Sequence, residues 1–268
     1  MEKNILSSLH QLKKVFIQNL DDNLLGIYIH GSVAYECFNP KYSDIDLIIV
    51  VKEKVTKKQK IELLEDVLSL WDSFPKKGLE FSIVLKDNCL NLKYPVPYEL
   101  HFSKDWLDIY TYNLDLIIND ELKSDWDLVT YFRLIFSRGL VLYGEPIKNI
   151  FGYVPNYPYL KSICMDMKDS YKDLEKDSVS IVLNQCRILA FIYEEKILSK
   201  KEAGEWCIEK QIVSDMSGIV SNLKSYSTNE TKKVSKEKNL FLYKELYKQI
   251  EKSISENNEY KKMLVEVL

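Results

Sequence analysis

The chain has 268 residues, 46% hydrophobic and 29% charged, with a net charge of −3. That length gives one large or two modest domains, and the balance is that of a soluble globular protein. The slight acidity argues against a nucleic-acid binder that relies on overall positive charge, and it suits a cationic small ligand better. The five cysteines (Cys37, Cys89, Cys164, Cys186, Cys207) show no C-x-x-C spacing and read as reduced, mostly buried thiols. His10, His30 and His101 form no ligating cluster, which argues against zinc. The N-terminal "MEKNILSSLHQLKKVFIQNL" lacks the apolar core of a signal peptide, and no window approaches the roughly twenty apolar residues of a membrane span. A cytoplasmic protein with no membrane partner is expected.

Taken in chain order, Ile5, Leu9, Leu12, Val15, Phe16 and Leu20 recur at helical spacing. "LLGIYIHG" reads as a short strand ending in glycine. "SVAYECF" opens a short helix, and "DIDLIIVVK" is a second, β-branched strand. "KKQKIELLEDVLSLWDSF" is an amphipathic helix with Ile61, Leu64, Val67, Leu68 and Trp71 on one side, and "LEFSIVLK" is a third strand. "DWDLVTYFRLIFSRGLVLYG" and "VSIVLNQCRILAFIYEEKI" are long helical patterns. "KKEAGEWCIEK" is another helix, with Ser199 as its N-cap, and "NLFLYKELYKQIEKSI" repeats apolar residues with the same period. Strand signals nearly vanish after residue 145. The Gly- and Pro-containing piece at 143–158 is the natural linker, and "STNETKKVSKEKN" reads as a surface loop whose Asn229-Glu230-Thr231 sequon is a chance match. The fold class is α+β: a domain with a small mixed sheet over 1–150, then an all-helical domain over 151–268.

Chemistry concentrates in "HGSVAYECFNPKYSDIDLIIV" (30–50). Asp44 and Asp46 stand two apart at the head of a strand, so they project to the same side. Two converging carboxylates repel unless a cation lies between them, and magnesium takes such oxygen ligands together with substrate phosphates. Glu80 heads the next strand and faces the same point if the two strands are neighbours. Upstream, Gly31 and Ser32 follow a strand and precede a helix start, where backbone N–H groups and a hydroxyl cradle phosphate. An Asp-x-Asp alone reads equally as a turn before a strand. The combination with Gly-Ser and a later acid points to nucleotidyl transfer, with a carboxylate taking the proton from an attacking hydroxyl.

The pattern G-S-x11-D-x-D, followed by an acid on a separate strand, resembles the nucleotidyltransferase superfamily. "LEFSIVLKDN...KYPVPYELHFSKDW", "DLVTYFRLIFSRGLVLYG" and above all "IVLNQCRILAFIYEEKILSKKEAGEW" resemble the aminoglycoside adenylyltransferases of the streptomycin/spectinomycin type. That resemblance implies ATP as co-substrate, Mg2+ held by Asp44 and Asp46, Glu80 as the catalytic base, and Gly31 and Ser32 at phosphate. It places Arg187 and Lys200 on the ATP phosphates, and Trp106, Asp173 and Asp177 with Glu80 at the drug. Where members that also modify streptomycin carry a Trp, this chain has Lys168. Losing that aromatic wall favours spectinomycin, whereas Asp173, which retains the acid found five residues after that Trp, argues the other way and keeps streptomycin open.

Plainer readings stand beside these. Trp106 also reads as packing, Arg187 as a surface ion pair, Lys200 as a solvated face, Asp177 as a helix N-cap and His30 as a packed histidine. The expected protein is a monomeric enzyme acting on an aminoglycoside, with no nucleic-acid partner. The rivals are a nucleotidyltransferase with another acceptor (lincosamide, RNA or protein) and a non-catalytic nucleotide-binding module.

Overall fold

The computed structural model describes residues 3–114, 118, 123–227 and 235–267, so the Asn229 sequon lies outside the described residues. Backbone contacts divide the chain into two compact units, Met1–Val154 and Pro155–Leu268. Among the described residues, no helix is long and apolar enough to cross a membrane.

The first unit runs α1 (Lys3–Leu20), β1 (Leu24–Ile29), α2 (Gly31–Ala34), β2 (Ile45–Val51), α3 (Lys57–Ser69), β3 (Leu79–Leu85), α4 (Lys86–Leu90), β4 (Val96–Tyr98) and β5 (Leu100–Phe102). It continues with α5 (Leu107–Tyr112), β6 (Lys123–Asp125), α6 (Asp127–Arg138), β7 (Leu140–Gly144) and α7 (Ile147–Ile150). Five strands form a mixed sheet in the order β5-β3-β2-β1-β7, and β4 pairs with β6 in a separate two-stranded ladder. Only β2 and β3 pair in parallel within the larger sheet; its other neighbours are antiparallel.

Strand alternation decides what each face carries. Ile45, Leu47 and Ile49 lie beside Leu79, Phe81 and Ile83, and all six are buried. Phe16 of α1 meets Phe81 edge-to-face, with ring centroids 5.2 Å apart, so α1 covers this side. On the opposite face Tyr28 packs edge-to-face on Phe151 at 4.9 Å, and Phe132 of α6 meets the same ring at 5.2 Å. The acids of the opening motif belong to this second face. α3 begins at a capping box in which Thr56 and Gln59 satisfy each other's backbone N–H groups.

Three expectations shift. The α3 helix stops at Ser69 and passes into a 3-10 turn at Trp71–Ser73, and its buried stripe runs through Leu63 as well as Leu64 and Val67. The helical pattern expected over 125–144 divides: α6 ends at Arg138, and Leu140–Gly144 forms β7 on the sheet edge beside β1. The expected linker at 143–158 holds the end of β7 and the α7 turn.

The second unit is helical: α8 (Asn156–Met165), α9 (Leu174–Glu194), α10 (Lys200–Glu209), α11 (Ser217–Ser227), α12 (Lys236–Glu256) and α13 (Met263–Glu266). α9 is the central element and packs against α8, α10, α11 and α12. Val182, Leu183, Cys186, Leu189 and Ala190 are all fully enclosed on it. Gln185 is buried among them, and its Nε2 donates to the Tyr243 carbonyl at 3.1 Å. Ser199 caps α10 in a second capping box, with Glu202 as its partner.

Candidate active site

The parallel ladder between β2 and β3 sets Asp46 directly beside Glu80. Asp44 lies one residue ahead of β2 rather than inside it. All three carboxylates nevertheless converge: an oxygen of each lies within 4.8 Å of the others, and all are partly buried. The register supplies the one relation that spacing alone leaves undetermined, namely which strand Glu80 adjoins.

The loop after β1 approaches the acids closely. Gly31 has φ +60°, a left-handed backbone that most side chains resist. A Cβ there would stand 1.8 Å from Asp46 Oδ2 and 2.6 Å from its Cγ. Glycine is therefore demanded twice, by conformation and by space. Beside it the Ser32 hydroxyl oxygen is buried and makes no hydrogen bond. A buried hydroxyl without a partner is costly unless a ligand satisfies it. His30, which leads into this loop, donates its backbone N–H to the Asp46 carbonyl at 3.1 Å.

Glu80 occupies an electrostatically distinct position. Burial pushes its carboxyl up to about 7; a hydrogen bond from Tyr131 opposes that rise, and the nearby Asp44, Asp127 and Asp125 reinforce it. The Tyr131 hydroxyl donates to Glu80 Oε1 at 2.7 Å. Asp125 is likewise raised, by burial and then by Asp127, whose N–H it accepts at 3.0 Å. The His30 ring is wholly buried, which lowers its pKa to about 3 and keeps it neutral. It stacks on Tyr131 with ring centroids 4.5 Å apart, the packed histidine that the sequence suggested.

Two residues beyond Glu80 on the same strand, Ser82 shares its face and bonds His101 Nδ1 at 3.0 Å across to β5. His101 meets the Trp106 ring edge-to-face at 5.7 Å. Trp106 itself is 36% exposed, so its indole is not consumed by core packing. Ser82, His101 and Trp106 therefore form a line of side chains beginning on the face that carries Glu80.

The helical unit holds the remaining residues. Arg187 on α9 donates Nε–H to the Leu198 carbonyl at 3.0 Å, two residues before Lys200 opens α10. Asp173 is exposed at the start of α9 and pairs with Lys176 at 3.0 Å. Asp177 interrupts α9 with φ −140° and ψ 54°, and its Oδ1 accepts the Ser180 N–H at 3.1 Å. It therefore caps the longer, C-terminal part of that helix. Lys168, beyond the end of α8, is exposed.

Sequence reasoning missed Tyr131, Asp125 and Asp127 at this site. All three lie in a stretch read as a helical pattern and as part of the family resemblance, with no site residue assigned in it. The one available signal was the Asp-x-Asp at 125–127, which resembles the opening motif but precedes a helix.

Residues 10–96 match the polymerase beta nucleotidyltransferase domain, and residues 149–250 match the aminoglycoside adenylyltransferase C-terminal domain. The chain thus carries a nucleotidyltransferase domain followed by a C-terminal domain of the aminoglycoside adenylyltransferase type. It is a nucleotidyltransferase. It is 22% identical over 228 residues to spectinomycin 9-adenylyltransferase of Enterococcus faecalis, covering 83% of this chain and 88% of that protein. It is 24% identical over 214 residues to aminoglycoside (3'') (9) adenylyltransferase of Escherichia coli, covering 77% and 79%. Its fold is shared with a crystal structure of the Enterococcus faecalis spectinomycin adenyltransferase solved with ATP and spectinomycin. There the TM-score is 0.79 at 19% identity, over 91% of this chain and 98% of that one.

Proposed function

We propose that this chain is an ATP- and magnesium-dependent O-adenylyltransferase acting on spectinomycin, with streptomycin as a second candidate acceptor. The observation that carries the reading is the register that brings Asp44, Asp46 and Glu80 together beside a buried, partnerless Ser32 hydroxyl. Three carboxylates within 4.8 Å are the oxygen-donor set that magnesium takes, and the Gly31–Ser32 turn leaves room that a Cβ would fill. Asp44 and Asp46 would hold the ion, which when bound neutralises triphosphate charge. The chain's own groups then divide the work. Ser32 donates to phosphate. Glu80, whose carboxyl is poised near 7, accepts the proton of a drug hydroxyl as its oxygen bonds to the α-phosphorus. The bond from that phosphorus to the bridging oxygen breaks, and pyrophosphate leaves.

Arg187 and Lys200 are assigned to the ATP phosphates by the family resemblance, and their charges fit, a guanidinium suiting bidentate contacts and an ammonium acting as a point charge. Trp106, Asp173 and Asp177 are assigned to the drug, whose cationic amines suit carboxylates. Relatives named spectinomycin 9-adenylyltransferase, from Enterococcus faecalis and Campylobacter jejuni, support spectinomycin as the acceptor. Lys168 supplies no aromatic surface where streptomycin-modifying members carry a Trp.

The test is mass spectrometry of spectinomycin and streptomycin after incubation with the protein, ATP and magnesium. A mass gain of one AMP on spectinomycin is expected, and it should vanish in Glu80→Gln, which should still bind both substrates. Label from ATP appearing on RNA or protein, with neither drug modified, would overturn the acceptor assignment.

A further inference from the structure

The three acids sit on or beside different strands, and a carboxylate side chain on a strand has rotational freedom of its own. Something must hold Glu80 in the orientation that faces an incoming hydroxyl. The structure supplies one group for this on a different element. Tyr131 projects from α6 and donates its hydroxyl to Glu80 Oε1 at 2.7 Å, the short distance of a hydrogen bond to a carboxylate. Its ring is fixed in turn by the neutral, buried His30, stacked at 4.5 Å with an interplanar angle of 29°. His30 is tied through its backbone N–H to the Asp46 carbonyl. Asp46 lies beside Glu80 in the parallel ladder, which closes the circuit.

We propose that Tyr131 is a positioning residue that orients Glu80 for proton abstraction, with His30 as the platform that fixes the Tyr131 ring. The assignment rests on the reading of Glu80 as the base. The hydrogen bond occupies Oε1 and leaves Oε2 as the oxygen free to accept the acceptor's proton. The Tyr131 hydroxyl acts on the base, so its loss should fall on turnover rather than on nucleotide binding.

The experiment compares Tyr131→Phe, Glu80→Gln, Glu80→Asp and the Tyr131→Phe/Glu80→Asp double variant in the full chain. Steady-state pyrophosphate release is measured with spectinomycin, and ATP affinity by calorimetry. Tyr131→Phe should lower kcat by about tenfold or more while ATP affinity stays within about twofold, the pattern of an interaction used in turnover rather than in ground-state binding. Glu80→Asp withdraws the carboxylate by one methylene, away from the tyrosine. Removing the hydroxyl in that background should cost little more, a non-additivity expected of partners in one interaction. Unchanged kcat in Tyr131→Phe while Glu80→Gln is inactive would overturn the proposal. So would additive losses, or a parallel fall in kcat and ATP affinity, since these are the marks of a structural role. Wild-type turnover in Glu80→Gln would instead overturn the base assignment itself.

Discussion

Gly31→Ala is the perturbation for which the site gives a worked magnitude. Alanine at φ +60° carries a left-handed strain of roughly 1–2 kcal/mol. Its Cβ would also lie 1.8 Å from Asp46 Oδ2, far inside contact distance, so the carboxylate or the loop must move. Overpacking of that kind adds roughly 1–3 kcal/mol, giving a total near 2–5 kcal/mol. The two contributions separate in an Asp46→Ala background. There the nearest remaining atom is the Asp46 Cβ position at 3.2 Å, so Gly31→Ala should cost only the strain, about 1–2 kcal/mol. Urea denaturation followed by fluorescence measures all four proteins, and pyrophosphate release measures the single variant, which should lose at least about a hundredfold in turnover. Equal destabilisation in both backgrounds would refute the claim that Asp46 crowds the loop. Wild-type turnover in Gly31→Ala would refute the claim that this carboxylate must stay in place.

The Glu80 carboxyl is raised in the folded chain from 4.5 to about 7, so its contribution to stability is fully present below pH 4.5 and is lost as pH rises through about 7. In chelator-treated protein the loss is at most roughly 3 kcal/mol, and Glu80→Gln should flatten it; stability that climbs across pH 5–7 in the wild type and is unaffected by that change would contradict the burial argument. Ser32→Ala removes a buried hydroxyl that has no partner, so thermal stability should hold or rise slightly while the KM for ATP increases; the opposite pairing would remove Ser32 from the phosphate site. Asp177 has two assigned roles that two variants separate. Asp177→Ala should destabilise the helical unit by about 1 kcal/mol through loss of the cap to Ser180, whereas Asp177→Asn should retain that cap and still weaken spectinomycin binding in calorimetry.

The acids were legible because their chemistry is written locally. Asp44 and Asp46 share a side by strand period, and Gly31-Ser32 precedes them at a fixed distance. Glu80 was legible only as the head of a later strand. What placed it was the parallel register of β2 with β3, a long-range pairing that no short window contains. β7 was missed for a related reason. "LVLYG" is parted from the apolar run of the helix only by Ser137, Arg138 and Gly139, and pairing with the edge of β1 makes it a strand. Tyr131 was invisible because an amphipathic helix uses aromatics for packing, and nothing in its neighbours marks one hydroxyl as aimed at a carboxylate 51 residues earlier in the chain. Capping, by contrast, is a local code, and Ser199 was identified from its own sequence surroundings.

The ladder that joins Asp46 to Glu80 also joins Leu47 to Phe81 and Ile45 to Leu79. One set of backbone hydrogen bonds thus aligns the carboxylates of the candidate site and the greasy interior at once. Sliding β3 by a single residue would turn Glu80 toward α1 and bring Phe81 out beside Asp46. Such an error cannot be mild, because it buries a charge and strands a phenyl ring in the same movement. The protein therefore has no well-folded state with a misassembled centre: any molecule that has completed its core has also set its acids. Proofreading of the candidate site is thus built into folding.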